Sequence, residues 1–320
     1  MSPVVNRLAL IGVGLIGGSI ARAAREYRAA REIIATARSR ATRQRVIELG
    51  IVDRVVETNA EAAKDADLVI ICIPVGASGL VATEIASSLR PGAIVSDVGS
   101  VKGAVLKDMA PHIPSGVHLI PAHPVAGTEN SGPDSGFAEL FVNRWCILTP
   151  PEGADTSAVE KLTAFWSALG ANVEVMTAEH HDMVLAITSH LPHLIAYTIV
   201  GTAEEFSTVS RSEVLKFSAG GFRDFTRIAA SDPTMWRDVF LHNKEAVLEM
   251  LAQFSEDLAK LTRAMRRGDG ETLFDHFTRT RAIRRGIVQI GQDSAAPDFG
   301  RPHSAKALGE LPRPYAADSE

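Results

Sequence analysis

The stretch from Arg7 to Ala24, RLALIGVGLIGGSIARAA, limits the fold more than any other part of this chain. An apolar strand runs into a turn where Gly12, Gly14 and Gly17 have the spacing G-x-G-x-x-G, and a helix leaves it. Glycines so spaced let a strand turn sharply, let backbone N–H groups approach a pyrophosphate, and let the helix pack close to the sheet. Gly18 adds another small residue on the packing side. The spacing alone is a weak signal, but here the strand and the helix that the mechanism demands flank it. Gly12, Gly14, Leu15, Ile16 and Gly17 are therefore read as a dinucleotide cradle. The alternative is a tight structural turn in some other α/β protein.

Strands and helices then alternate. Glu32 to Ala37 reads as a second strand, Ala41 to Leu49 as a helix stopped by Gly50, and Ala66 to Pro74 as a central strand apolar on both faces. Pro74 and Gly76 end that strand, with Pro74 beside the cofactor, and Ala77 to Leu89 supplies a helix before the Pro91-Gly92 turn. Ala93 to Asp97 leads into Gly99, Ser100, Val101 and Lys102, and Val117 to Ala122 is a strand that stops at His123. Ligands of an open α/β sheet bind outside the carboxyl ends of its strands, so successive strand ends point at one crevice. Arg144 to Thr149 and Ala171 to Met176 read as further strands around the helix Thr156 to Leu169.

The predicted fold class is thus α/β, with a Rossmann-type, mostly parallel sheet over residues 1–177. Beyond it, Ala178 to Phe206, Pro233 to Met265 and Glu271 to Ile290 have helical apolar periods, so residues 178–291 are expected to form an all-helical second domain. Residues 292–320, rich in Ala, Pro, Gly and charge without a period, read as a mobile tail.

The end of the second strand should meet the adenosine ribose. A chain that prefers NAD usually places Asp or Glu about 20 residues past the glycines to accept from the 2′-hydroxyl. Arg38 stands there, followed by Ser39, Arg40 and Arg43. A guanidinium at that place would pair with a 2′-phosphate, so Arg38 and Ser39 lean the cofactor toward NADP over NAD. The bland alternative is a solvated run of arginines on the next helix.

A net charge of −5 offers no basic excess to hold a nucleic-acid backbone. We expect no apolar run of about 18 residues free of charges and no signal-peptide layout, hence a soluble, cytoplasmic chain with no membrane partner. Cys72 and Cys146 lie in separate apolar runs without a CxxC pair, which argues against a disulfide framework or a thiolate zinc site.

Three segments carry candidate chemistry. In AHPVAGTENSG, Ala122 to Gly132, a histidine at a strand end can take the proton of an alcohol as hydride leaves; the alternative is a histidine packed in a loop. In TSHLPH, Thr188 to His193, His190 and His193 are three apart and share a helical face, with Pro192 opening the turn. No H-E-x-x-H pattern accompanies them, so we expect no metal, although a structural histidine pair stays open. In GGFRDFTRIAASDPTMWRD, Gly220 to Asp238, Arg223 and Arg227 are four apart and would suit a dicarboxylate, while Trp236 could cover an unsaturated ring. Arg–Asp pairs, such as Arg227 with Asp224 or Asp232, are the equal alternative.

The order GVGLIGGS, DVGSVK (Asp97 to Lys102), HPVAGTENSG, SHLPH and GGFRDFTRIAASDPTMWRD resembles the prephenate/arogenate (cyclohexadienyl) dehydrogenase family of tyrosine biosynthesis, over roughly Asn6 to Ile290. The resemblance implies that His123 assists oxidation of the ring hydroxyl and that Ser100 hydrogen-bonds there, near the nicotinamide. It implies that His193 and Arg227 hold the substrate carboxylates, and that His190, Thr128, Glu129, Asp224 and Trp236 line or support the pocket. It further implies an oxidative decarboxylation with NAD or NADP that needs no metal, and a homodimer through the helical domain. Many relatives carry an acidic residue where Arg38 stands, which leaves the cofactor preference open. We also expect no chorismate mutase segment and no ACT-like domain, so that feedback by tyrosine would act at the active site. A dehydrogenase of the β-hydroxyacid or 6-phosphogluconate type is the alternative enzyme, relying on a lysine in its helical domain; a dinucleotide-sensing regulator without turnover is the non-enzymatic one.

Overall fold

Alternation along the first strand sets the architecture. In β1 (Val5–Ile11), Leu8 and Leu10 join one buried cluster while Ala9 and Ile11 join another on the opposite face. A strand apolar on both faces must lie between two layers of helices, as a central parallel strand does. The computed structural model describes residues 2–128, 130–205 and 220–289, and in it β1 is flanked by β2 (Ala30–Thr36) and β4 (Leu68–Ile71). With β3 (Arg54–Val55), β5 (Ile94–Asp97) and β6 (His118–Leu119) they form a six-stranded parallel sheet in the order β3-β2-β1-β4-β5-β6. The order reverses between β1 and β4, opening a crevice at their carboxyl ends. Helices α1 (Leu15–Glu26), α2 (Arg40–Leu49), α3 (Asn59–Ala63), α4 (Ser78–Ile85) and α5 (Gly103–Met109) provide the crossovers.

One expected strand divides. The run Val117 to Ala122 reads as a single strand, yet its two ends belong to different sheets. Ile120 N still donates to Val95 O at 2.9 Å, but Pro121 has no N–H and the parallel ladder ends there. Ala122–Pro124 instead becomes β7, antiparallel to β8 (Trp145–Leu148), which pairs in parallel with β9 (Asn172–Val175). His123 therefore sits inside a strand of this second, three-stranded sheet, opposite Ile147, and not at the tip of a parallel strand. Helix α6 (Thr156–Ala168) backs the small sheet with Phe165 and Trp166.

Among the described residues no strand follows β9. Helix α7 (Ala178–Leu185), a π turn at Ala186–His190 and α8 (Leu191–Glu205) run on from one another. This stretch corrects one expectation, because Ala178–Glu205 is long and apolar enough to cross a membrane, and Met183 to Ala203 contains no Asp, Glu, Lys or Arg. Its buried His181, Asp182 and His190 are hydrogen-bonded to other parts of the same unit, which ties the helix to the protein's own interior. After α9 (Gly220–Thr226) and a 3-10 turn at Arg227–Ala230, the helix expected over Pro233 to Met265 is broken into α10 (Pro233–His242) and α11 (Lys244–Arg267). The break is Asn243, whose side chain turns inward to buried partners. Helix α12 (Gly270–Gln289) is last, and the expected tail at 292–320, Glu129, Phe206 and Ile290 lie outside the described residues. By their contacts, residues through Leu248 form one compact unit and those from Glu249 another.

Candidate active site

The glycine turn divides its labour residue by residue. Gly12 has φ +94°, and a Cβ there would lie 2.4 Å from Cys72 O; one on Gly17 would lie 2.2 Å from Gly12 O. Any side chain at either position would force the turn open. Gly14 is different, because its missing Cβ faces open space. It is also the N-cap of α1, no side chain caps that end, and no acidic residue occupies the first turn of Leu15, Ile16 and Gly17. An uncapped helix start beside a bare backbone suits an anionic pyrophosphate. Pro74 lies exposed across the crevice, at the start of the 3-10 turn Val75–Ala77.

At the end of β2, Arg38 is exposed and no carboxylate follows it before α2. Ser39 caps α2 by accepting from Thr42 N at 2.9 Å. Arg43 Nη1 donates to Ala37 O at 2.7 Å and to Arg38 O at 3.2 Å, which holds the Arg38 backbone in place. The glycine turn and this rim together fit a dinucleotide.

A chain of buried polar groups starts one strand further on. Lys102 is fully buried, with Nζ 2.5 Å from Asp97 Oδ2 and 2.7 Å from Ala122 O, while Ala122 N donates to Asp97 Oδ1 at 3.2 Å. This latch ties the end of β5 to β7 and so fixes the next residue, His123. Burial lowers the Lys102 ammonium, and the adjacent Asp97 opposes that shift. His123 Nδ1 lies 2.9 Å from His181 Nε2, and His181 Nδ1 lies 2.8 Å from Asp182 Oδ1. Both oxygens of Asp182 accept from the start of α5, Oδ1 from Lys102 N at 2.8 Å and Oδ2 from Gly103 N at 2.9 Å. Burial pushes His123 well below its ordinary value of 6.5, with His181, Lys102 and His190 adding to the shift. His181 is lowered too, again chiefly by burial, with Asp182 opposing. Both imidazoles are therefore neutral at neutral pH.

The π turn brings the second pair of histidines together. Pro192 cannot donate back along the helix, and the widened turn precedes it. His193 Nδ1 is 2.9 Å from Ser189 O, and its ring stacks on Trp236 at 3.6 Å and 23°. His190 meets the same indole edge-on at 6.0 Å. Asn243 Nδ2 donates to Asp182 O at 2.9 Å and lies 3.0 Å from His190 Nδ1. A donor facing Nδ1 places the buried His190 proton on Nε2, and the Ser100 backbone favours that ring's protonation. Burial draws both His190 and His193 down to about 4, and Arg227 adds to the shift of His193. Trp236 thus gives one face to His193, and its role begins as support for that ring.

The remaining site residues are more open. Ser100 is half-buried in the loop after β5, and Thr128 is half-buried with Oγ1 accepting from Asn130 N at 3.2 Å. Arg227 is exposed at the first position of a 3-10 turn, one turn past Arg223 on α9. The Arg–Asp alternative is realised by Arg223, whose Nε is 2.9 Å from Asp224 Oδ1. Among the described residues no group of three or more His, Cys, Asp or Glu is placed to hold a metal. Sequence reasoning missed His181, Asp182 and Asn243 as parts of this site, and Lys102 as its latch. The run HHD at 180–182, two potential proton carriers beside a carboxylate, was the available signal.

Comparison with known proteins agrees with this layout. The family model described as "Prephenate dehydrogenase, nucleotide-binding domain" matches residues 20–175, and "Prephenate dehydrogenase, dimerization domain" matches residues 177–279. A cyclohexadienyl dehydrogenase of Zymomonas mobilis is 42% identical over 284 residues, covering 89% of this chain and 97% of that protein. A prephenate dehydrogenase of Bacillus subtilis is 34% identical over 93% of this chain and 80% of its own length. Among solved structures, the prephenate dehydrogenase of Aquifex aeolicus in complex with hydroxyphenyl propionate and NAD+ is 32% identical, with a TM-score of 0.82 over 88% of this chain and 98% of that one.

Proposed function

Because this chain belongs to the prephenate dehydrogenase family, we propose that His123 is the base of its reaction and that His193 and Arg227 hold the substrate. The protein is an NAD(P)-dependent oxidoreductase of tyrosine biosynthesis, with prephenate/arogenate dehydrogenase activity. The observation that carries the assignment of the base is the buried His123, kept neutral and hydrogen-bonded through Nδ1, with Nε2 left over.

Gly12, Gly14, Leu15, Ile16 and Gly17 would hold the pyrophosphate, with Pro74 and Ser100 lining the cofactor's far end. A dinucleotide held there would supply an oxidised nicotinamide as the hydride acceptor for the C4 carbinol of the substrate. His123 takes the hydroxyl proton as that bond changes, and Ser100 hydrogen-bonds to the same oxygen. Carbon dioxide then leaves the quaternary ring carbon as the ring becomes aromatic. Aromatisation makes the sequence downhill, so orientation and proton removal are what the protein must supply. Arg227 and a neutral His193 anchor the carboxylates, with Trp236 behind His193 and with His190, Thr128, Glu129 and Asp224 around them.

We propose NADP as the preferred cofactor, supported by the exposed Arg38 and the lack of a carboxylate at the end of β2. We also propose a homodimer. The family's dimerization domain covers this part of the chain, and α11 and α12 expose Leu258, Met265, Phe274, Phe277 and Ile283. Both cysteines are free, in keeping with the reducing cytoplasm where we place the enzyme. A two-by-two assay of prephenate or arogenate with NAD or NADP tests the reading. We expect turnover with at least one dienol and higher kcat/KM with NADP; a strong NAD preference would overturn the cofactor assignment.

A further inference from the structure

We infer that His181 and Asp182 are positioning residues that lock His123 in the tautomer with its proton on Nδ1, so that Nε2 is the free base. The inference rests on the reading of His123 as the base given above, and it adds what sets that base. It follows from counting donors along the chain. Asp182 accepts two backbone N–H groups at the start of α5, one on each oxygen, and so faces His181 as an acceptor. His181 Nδ1 must then carry the proton of the 2.8 Å bond, and its Nε2 is a lone pair. That lone pair can only accept from His123 Nδ1 across 2.9 Å. His123 Nε2 is left unprotonated.

The arrangement matters because a free imidazole usually carries its proton on Nε2. In that form a histidine held through Nδ1 presents a donor to the substrate hydroxyl, and no proton can be taken. The relay reverses this before substrate arrives. When His123 Nε2 takes the hydroxyl proton, hydride leaves the carbinol carbon for the oxidised nicotinamide and the C–O bond becomes C=O. The imidazolium so formed keeps its Nδ1 proton, and its charge is balanced through His181 by the Asp182 carboxylate. No second proton transfer is needed. The same logic places a carboxylate behind an imidazole in hydrolytic enzymes and in metal sites.

The groups that face this pair come from several elements. Lys102, at the start of α5, and His190, in the π turn, oppose a positive His123, while Asp97 on β5 partners Lys102. Asp182 is the carboxylate in direct line with His181. Without it the pair keeps only Asp97, which also favours a charged His181 but is already the partner of Lys102.

The test is the imidazole nitrogen-15 spectrum of the full-length, histidine-labelled enzyme at neutral pH, with His123→Asn used for assignment. We expect the Nδ1–H form of His123 in the native protein. In Asp182→Asn, where the amide can donate to His181, we expect the Nε2–H form and a fall in kcat of about 10²- to 10⁴-fold with KM changed less than about threefold. His181→Gln keeps an acceptor for His123 Nδ1, and should retain at least about tenfold more kcat than His181→Leu. Its acid limb in the kcat–pH profile should move to lower pH, because the carboxylate no longer supports the imidazolium. If Asp182→Asn fails to fold, the native spectrum and the His181 pair still decide. A native Nε2–H tautomer, or equal kcat in His181→Gln and His181→Leu, would overturn the relay. If His123→Asn itself left kcat intact, the base assignment would fall instead.

Discussion

The two ends of the candidate site are built on opposite principles. At the β7 end, His123, His181 and Lys102 are buried; the two imidazoles bond each other across 58 positions at 2.9 Å, and Lys102 reaches Ala122 O across 20 positions at 2.7 Å. At the α9 end, Arg223, Asp224 and Arg227 are exposed and sit on a short helix and a 3-10 turn. Bond making needs an exact protonation state, which burial and a fixed partner supply. Binding a charged substrate needs a charge that water can reach until the ligand displaces it. The difference teaches that chemistry and anchoring should fail separately when each end is altered.

The largest expected effect is on His123. His123→Asn should lower kcat by about 10²- to 10⁴-fold while KM changes little, measured by steady-state kinetics under saturating cofactor. A rise in KM alone would blur the contrast between the two ends. Next is the latch, where Lys102→Met leaves Asp97 buried and uncompensated. That variant should lose about 3–5 kcal/mol of stability in denaturant unfolding, and an unchanged midpoint would show that Asp97 finds another partner. Arg227→Ala should raise KM by about 10- to 100-fold at nearly constant kcat, the cost of a hydrogen bond to a charged group. Unchanged KM would make Arg227 a structural residue. The smallest effect belongs to the solvated cofactor rim. Arg38→Ala should reduce the NADP-over-NAD ratio of kcat/KM by no more than about fivefold, as an exposed ion pair allows.

Stability should track the buried histidines. His190 and His193 sit at about 4 in the folded state and at 6.5 when unfolded, so between these values the unfolded chain binds more protons. Stability is therefore complete above 6.5 and is lost as pH falls through this window. A Tm that stays flat from pH 7 to 4 would show that these rings are not buried neutral.

How much of this was legible in the sequence depended on how local each cause was. The glycine turn could be read because its strand, turn and helix are contiguous, and Gly50 could be read as a helix stop because it alone adopts φ +62° there. The break at Pro121 was hidden inside an apolar run, where one missing N–H moves His123 to another sheet. The break at Asn243 was hidden because its cause, buried partners on α7 and the π turn, lies 61 and 53 positions away. His181 was covered only by the helical run from Ala178 to Phe206, since its partner His123 is 58 residues earlier and nothing in the local pattern joins them. Arg223 and Arg227 could be read as four apart in one segment, but spacing could not show that Arg223 pairs with its own neighbour Asp224 or that Arg227 falls in a 3-10 turn past the helix end. Residues fixed by local backbone chemistry were readable, and those fixed by long-range hydrogen bonds were not.

The most direct test of the central claim, that burial keeps His123 a neutral base, is the pH profile of kcat in the native enzyme. The ordinary value for histidine is 6.5, and His123 is drawn well below it. Because the neutral ring is the active form, kcat should be level from pH 6.5 upward on this limb and fall only at distinctly lower pH. An acid limb centred at or above 6.5 would contradict it.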